Sequence, residues 1–417
     1  MENISVKDRA VLRSLAQKQL ELANGERNRE TIRLWYKHNA CEGERPLVGL
    51  TTWCFAKEVI PKRLVCEGEA ARELEHSLYN NFINAEVFTD DIPVPDFFPV
   101  YIMPRLIPFG IVIESERAPS GAGLAYHYVH QIKDLEQDFH LLGESRISYG
   151  KERLERLFSL AEEVFGDILP PRYTMSSIPM TPTQDVVKLM GMETMYTSMY
   201  DYPELFHEMM RRYTDQMKEQ LRCLERERVL LPTTGDDHLN QSSRCFTREL
   251  PDAPGPNGLT THDVWGYIDS QETVGLSPDM FDEFVFTYYK ELTDEFGLIS
   301  YGCCEPAHPI WDKCLSRIHN LRKLSISPWC DENFIAERLR ERKVVYYRKP
   351  DATLLGGVNA ALDEDAVRKH IRKTAEAASG LTLEINQTDV YTLNNNEGKV
   401  RRYVELIRET VERYWKP

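Results

Sequence analysis

The run Ile299-Ser300-Tyr301-Gly302-Cys303-Cys304-Glu305-Pro306-Ala307-His308 ends an apolar, strand-like stretch in two thiols, a carboxylate and an imidazole. Thiolate and imidazole suit zinc, and a catalytic zinc site keeps three protein ligands and one open position. Cys303 or Cys304 with His308, completed by His238, Cys330 or Glu384, would meet that count. Neighbouring residues on a strand face opposite sides, so one of the two thiols is expected in the core. Carboxylates offer a second chemistry, proton transfer to or from a bound substrate. Glu305, Asp236 and Glu384 are the candidates for it. Glu384 stands inside the apolar run Leu381-Thr382-Leu383-Glu384-Ile385, where a lone carboxylate is costly unless paired or ligating.

Other apolar runs end in unusual side chains as well: Thr233-Thr234-Gly235-Asp236-Asp237-His238, Asp269-Ser270-Gln271-Glu272, Pro328-Trp329-Cys330-Asp331 and Ile385-Asn386-Gln387-Thr388-Asp389. Brought to one face, these ends would make a single concavity of carboxylates, thiols and imidazoles. Trp329, Gln271, Glu272, Lys349 and Asp389 are the substrate-binding candidates, with Trp329 as a flat wall. Plainer roles compete with these. His308 can cap a helix starting near Pro309, Lys349 can be a solvated loop charge, and Asp236 and Asp237 can end a strand in a turn.

The elements that must position these residues alternate. Val229-Leu230-Leu231, Val264 to Ile268, Leu298 to Tyr301, Leu324 to Ser327, Val344 to Tyr347 and Leu381 to Ile385 read as strands, with helical stretches such as Pro278 to Phe296 and Asp363 to Ser379 between them. Alternating strand and helix implies parallel strands wound right-handed. The expected fold is α/β, a (β/α)8 TIM barrel over residues 134–417 with its site at the strand C-termini. Residues 1–133 are expected to be an N-terminal extension. Its helical arm, about Lys7 to Asn39 and broken near Asn24-Gly25, is suited to an oligomer contact, and an irregular cap carries prolines at 93, 95, 99, 104 and 108.

Composition narrows the function classes. A formal charge of −15 over 417 residues argues against a nucleic-acid surface. No apolar run is long enough for a membrane span. Nine cysteines with no apolar secretory leader point to reduced thiols and a cytoplasmic address.

Tyr301-Gly302-Cys303-Cys304-Glu305-Pro306, with Trp311-Asp312, Asn320-Leu321-Arg322-Lys323, Ser325-Ile326-Ser327-Pro328-Trp329, Arg348-Lys349-Pro350, Glu384-Ile385 and Ser270-Gln271-Glu272-Thr273-Val274-Gly275, resembles the uroporphyrinogen decarboxylase superfamily. The resemblance is to the branch that groups with corrinoid-dependent methyltransferases, and it covers the C-terminal 250 residues or so better than the rest. It implies transfer of a methyl group from a small methylated donor, such as a methyl aryl ether, to a corrinoid carried by a partner protein, assisted by zinc. In that branch a His-x-Cys pair and a later Cys hold the metal. Here Tyr301 stands at the histidine's place and Glu384 near the second thiol's, which implies a changed ligand set suited to an oxygen-bearing substrate. Two other readings compete: metal-free decarboxylation of a small carboxylic acid, and a non-catalytic corrinoid- or small-molecule-binding subunit.

Overall fold

The computed structural model describes residues 4–117 and 126–417. Met1 to Asn3, the first residues of the polar N-terminus, lie outside that description. In chain order the strands are β1 (Leu47–Leu50), β2 (Phe98–Ile102), β3 (Arg105–Ile107), β4 (Glu114–Arg117), β5 (Tyr126–Val129), β6 (Arg146–Ser148), β7 (Pro171–Met175), β8 (Ile178–Pro179), β9 (Trp265–Ile268), β10 (Leu298–Tyr301), β11 (Leu321–Ile326), β12 (Val345–Arg348) and β13 (Leu383–Gln387). Seven form one sheet in the order β1-β13-β12-β11-β10-β9-β8, and every pairing in it is parallel. Parallel strands covered on both faces should read as near-continuous apolar runs. β10 and β11 are accordingly buried at every position.

The covering helices are amphipathic. Pro203–Arg226 buries Phe206, Met209, Met210, Tyr213, Met217, Leu221 and Leu224, the spacing of a single apolar stripe. Glu364–Ala377 and Gly398–Tyr414 pack together beside β13 and β1 in the same core. Among the described residues no helix is long and apolar enough to cross a membrane.

Two expectations from the sequence are corrected by the fold. Leu47–Leu50, placed in the cap between residues 1 and 133, is a strand of the main sheet, with Leu47 to Leu50 in register with Glu384 to Gln387. Among the described residues the expected strand Val229-Leu230-Leu231 joins no ladder; Pro232 follows it, and proline cannot donate to one. Among the described residues no ladder pairs β8 with β1 either. That gap is flanked by single backbone bonds, Asp91 N–H to Val48 O (2.7 Å) and Ser177 N–H to His238 O (2.8 Å).

The N-terminal helices break where Asn24-Gly25 falls, into Val6–Ala23 and Glu26–Asn39. Val6–Ala23 packs on Glu69–Ile83 and on Lys151–Phe165 in a second apolar cluster. Its apolar face is thus covered by this same chain, partly by a helix from beyond residue 134.

Candidate functional site

β10 stops at Tyr301 because Gly302 adopts φ +97°, a backbone conformation that disfavours any side chain. A Cβ there would also approach Ser325 Cβ to 3.1 Å. Cys303 and Cys304 therefore sit in a turn and not on the strand, so the expected alternation into core and pocket fails. Both thiols are half-buried, and their Sγ atoms lie 3.6 Å apart. Four neighbouring elements pin the turn. Ser325 Oγ and Lys349 Nζ donate to the Cys303 carbonyl (2.8 and 3.1 Å). Asn240 donates to the Gly302 carbonyl. Glu305 accepts the N–H groups of Ser270 and Cys303 at 3.0 and 2.9 Å. Both Glu305 oxygens are thereby used in holding the turn, so the residue expected to be catalytic serves to position the thiols.

The thiols are electrostatically unequal. The hydrogen bond from Cys304, with the Lys349 ammonium, holds the Cys303 thiol below its usual range, while the same bond raises Cys304. The Cys304 thiol also points to Asp389 Oδ2 at 3.6 Å. Cys303 is expected to alkylate with iodoacetamide at lower pH than an ordinary thiol. Lys349→Met should move that alkylation midpoint upward, read by peptide-resolved mass spectrometry; an unmoved midpoint would show that Lys349 does not act on Cys303.

Beside the turn, at the end of β9, lies a carboxyl group that the sequence placed among the run ends without a role of its own. Asp269 is buried, accepts both Gln184 Nε2 contacts (2.7 and 3.0 Å) and takes the Tyr267 hydroxyl. Burial raises it, and burial together with the Asp269 charge raises Glu305. Glu272 follows, pushed up to about 7 by burial and by Asp269, and its Oε2 accepts the Thr183 hydroxyl at 3.2 Å. The one available signal for Asp269 is its place directly after the Trp265-Gly266-Tyr267-Ile268 run. Gln271 is half-buried on the short helical turn that also carries Glu272.

A cavity of about 300 Å³ opens at the end of β1, lined among others by Trp53, Tyr101, Asp236, His238, Gln241 and Arg244. Gln241 joins it to the thiols through an Nε2 to Cys303 Sγ approach of 3.9 Å. Arg244 Nε pairs with Asp236 Oδ1 at 2.8 Å, and Arg244 also meets His238. Burial lifts Asp236 to about 6, and burial with the neighbouring guanidinium lowers His238 to about 3. His238 is thus a neutral ring, stacked obliquely on Tyr101 at 4.9 Å. Among the described residues, Gln241 Oε1 and Ser242 Oγ find no hydrogen-bond partner where they are buried on the cavity wall. No sequence pattern pointed to Arg244, which sits in an irregular loop.

Two expected residues lie elsewhere. Glu384 is in the first half of β13, enclosed with Lys323 (2.6 Å), His38 (3.3 Å) and Ser243 (3.2 Å). Its burial is explained by an internal ion pair, which serves packing and not the rim. His308 opens a short helix and accepts the Asp331 N–H at 3.2 Å. Trp329 stands on the rim, 67% exposed. The zinc implied by the resemblance is not matched by these positions. The thiols converge, but His238 is engaged with Arg244 and His308 with Asp331. Among the described residues no three His, Cys, Asp or Glu side chains group so as to hold a metal ion.

No protein-family profile matches the chain, and no curated protein matches it in sequence. Among solved structures it is similar to a methyltransferase from Methanosarcina mazei, at 13% identity over 90% of this chain and 98% of that one, with a TM-score of 0.46. So distant a likeness says nothing about activity. The fold and the site define an α/β protein with a parallel sheet, N-terminal helices and a polar cluster at the strand C-termini.

Proposed function

We propose that the protein is a methyltransferase that removes the methyl group of a small methyl ether, of the methyl aryl ether kind, and passes it to a corrinoid carried by a separate protein. In this reading the parallel sheet is a (β/α)8 barrel, its gap between β8 and β1 flanked by the backbone near Asp91 and His238. The resemblance carried by Tyr301 to Pro306 and its companion motifs supports the reaction class. The observation that carries the reading is Glu272, a carboxyl group lifted to about 7 at a strand end.

Demethylation breaks the O–CH3 bond with both electrons left on oxygen, and that oxygen must gain a proton. A carboxylic acid whose pKa lies near the working pH is the most effective donor. Glu272 supplies the proton, with Thr183 orienting its carboxyl and Asp269 keeping it protonated through like-charge repulsion. The ether oxygen meets Glu272 at the end of β9, where Ser270 N–H binds Glu305 of the Cys303–Cys304 turn. No step is assigned to zinc. Cys303 and Cys304 stand at that same rim, next to Lys349 and Asp389.

Incubation with a methoxylated aromatic acid and chemically reduced cobalamin should yield methylcobalamin, seen by its absorbance, together with an equal amount of the phenol. A panel of methyl ethers giving neither product across pH 5 to 9 would remove the reading. Release of carbon dioxide in its place would establish decarboxylation.

A further inference from the structure

We propose that Cys303 and Cys304 form a bidentate capture site for trivalent arsenicals of the type RAs(OH)2. This does not rest on the methyltransferase reading, since it concerns bond formation at the two sulfurs alone.

The geometry decides among the fates open to two adjacent thiols. A disulfide needs the sulfurs at ~2.05 Å and Cα atoms usually 4.4–6.8 Å apart, whereas consecutive Cα atoms are fixed ~3.8 Å apart. The Sγ atoms stand at 3.6 Å, so ring closure would draw them together by well over an ångström and strain the turn. One centre bridging both sulfurs meets no such obstacle. Two bonds of about the ~2.3 Å zinc–sulfur length, at the roughly 100° angle of a pyramidal centre, span ~3.5 Å, close to the spacing already present.

The donor count then selects the centre. Structural zinc takes four protein ligands and catalytic zinc three, and no third His, Cys, Asp or Glu completes such a group here among the described residues. Trivalent arsenic is pyramidal and thiophilic. It is satisfied by two sulfurs and keeps one substituent of its own. The turn is also rigid: Ser325 and Lys349 hold the Cys303 carbonyl, and Glu305 holds the Cys303 N–H. The pair is therefore ordered before the ligand arrives, which reduces the entropy lost on capture. Both thiols are half-buried and not sealed in the core, as Cys245, Cys314 and Cys330 are.

The reaction balances without an oxidant. Each thiol gives its proton to one arsenic-bound hydroxyl, two waters leave, two S–As bonds replace two As–O bonds, and arsenic stays trivalent. Asp389, which faces the Cys304 thiol at 3.6 Å, is placed to take that proton in transit.

The test uses phenylarsine oxide on the full chain, reduced beforehand. Expected are one arsenic per chain by intact mass, retention through excess 2-mercaptoethanol, release by a dithiol such as dimercaptopropanol, and mapping to the peptide holding Cys303 and Cys304. Cys303→Ser and Cys304→Ser should each lose retention against monothiol while keeping the wild-type melting temperature. Retention in the Cys303→Ser/Cys304→Ser double variant, or release of the wild-type adduct by monothiol alone, would overturn the proposal. Should either single variant melt early, protection of both wild-type cysteines from iodoacetamide by the arsenical decides the matter, and unprotected thiols refute it.

Discussion

Lys323→Met is expected to destabilise the protein by about 3–5 kcal/mol, the range seen when one partner of a buried ion pair is removed. Lys323 is fully buried and Glu384 is 2% exposed. Nζ donates to Glu384 Oε2 at 2.6 Å and to Ser243 Oγ at 2.7 Å, and it lies over the Trp35 ring. Burial pushes Glu384 up, but Lys323 and His38 outweigh it and hold the carboxyl at about 2. Burial also lowers Lys323, against the pull of Glu384. Methionine fills similar volume and leaves the carboxylate enclosed without its cation. A double variant, Lys323→Met/Glu384→Leu, should regain most of the loss, because the desolvation of two charges disappears with the pair. The pH dependence has a definite sign. The folded carboxyl titrates at about 2, below the ~4.3 of an unfolded glutamate. The contribution of Glu384 is thus fully present above ~4.3 and is lost as pH falls toward the folded value. Urea unfolding across that acid window should show a smaller loss in the double variant than in wild type, with other depressed carboxyl groups such as Glu249 titrating in both. Equal stability of Lys323→Met and wild type would refute the ion pair's structural role.

Legibility in the sequence followed the physics of each element. Strands buried on both faces announce themselves as apolar runs, and β9 to β13 were found where such runs lie. β1, Leu47-Val48-Gly49-Leu50, was assigned to the cap because its apolar run leads into a proline-rich stretch, where central strands are not expected. The rim turn was located by residue type, but its shape was not. Strand alternation assigns opposite sides to Cys303 and Cys304, and only the positive φ of Gly302 shows that the strand has already ended. Glu384 misled for a related reason. A carboxylate in an apolar run must be paired or functional, and its partner Lys323 stands 61 residues earlier, on β11. Such pairing depends on which strands become neighbours, which no local pattern states. Asp269 was seen only as one of the run ends and Arg244 was missed, because their importance comes from Gln184, Tyr267, Asp236 and His238, contacts made only in three dimensions.

The largest expected effect on activity is at Glu272. If its carboxyl gives the leaving oxygen its proton, Glu272→Gln should lower kcat by about 10²–10⁴-fold, the usual contribution of a positioned general acid. Substrate affinity should change little, since the amide keeps the shape and a hydrogen bond to Thr183. The pH profile separates proton donation from mere positioning. The acid must be protonated to act, so wild-type kcat should be high below about 7 and fall as pH rises through that value. Asp269→Asn removes the like charge that helps lift Glu272. It should shift this falling limb to lower pH without abolishing turnover, whereas Glu272→Gln should erase the limb and leave a flat residual rate. A donor whose leaving group is already stable as an anion, such as a methyl nitrophenyl ether, needs less protonation and should lose far less rate in Glu272→Gln than a methyl ether of an electron-rich phenol. Equal losses for both donors would show that Glu272 does not deliver the proton.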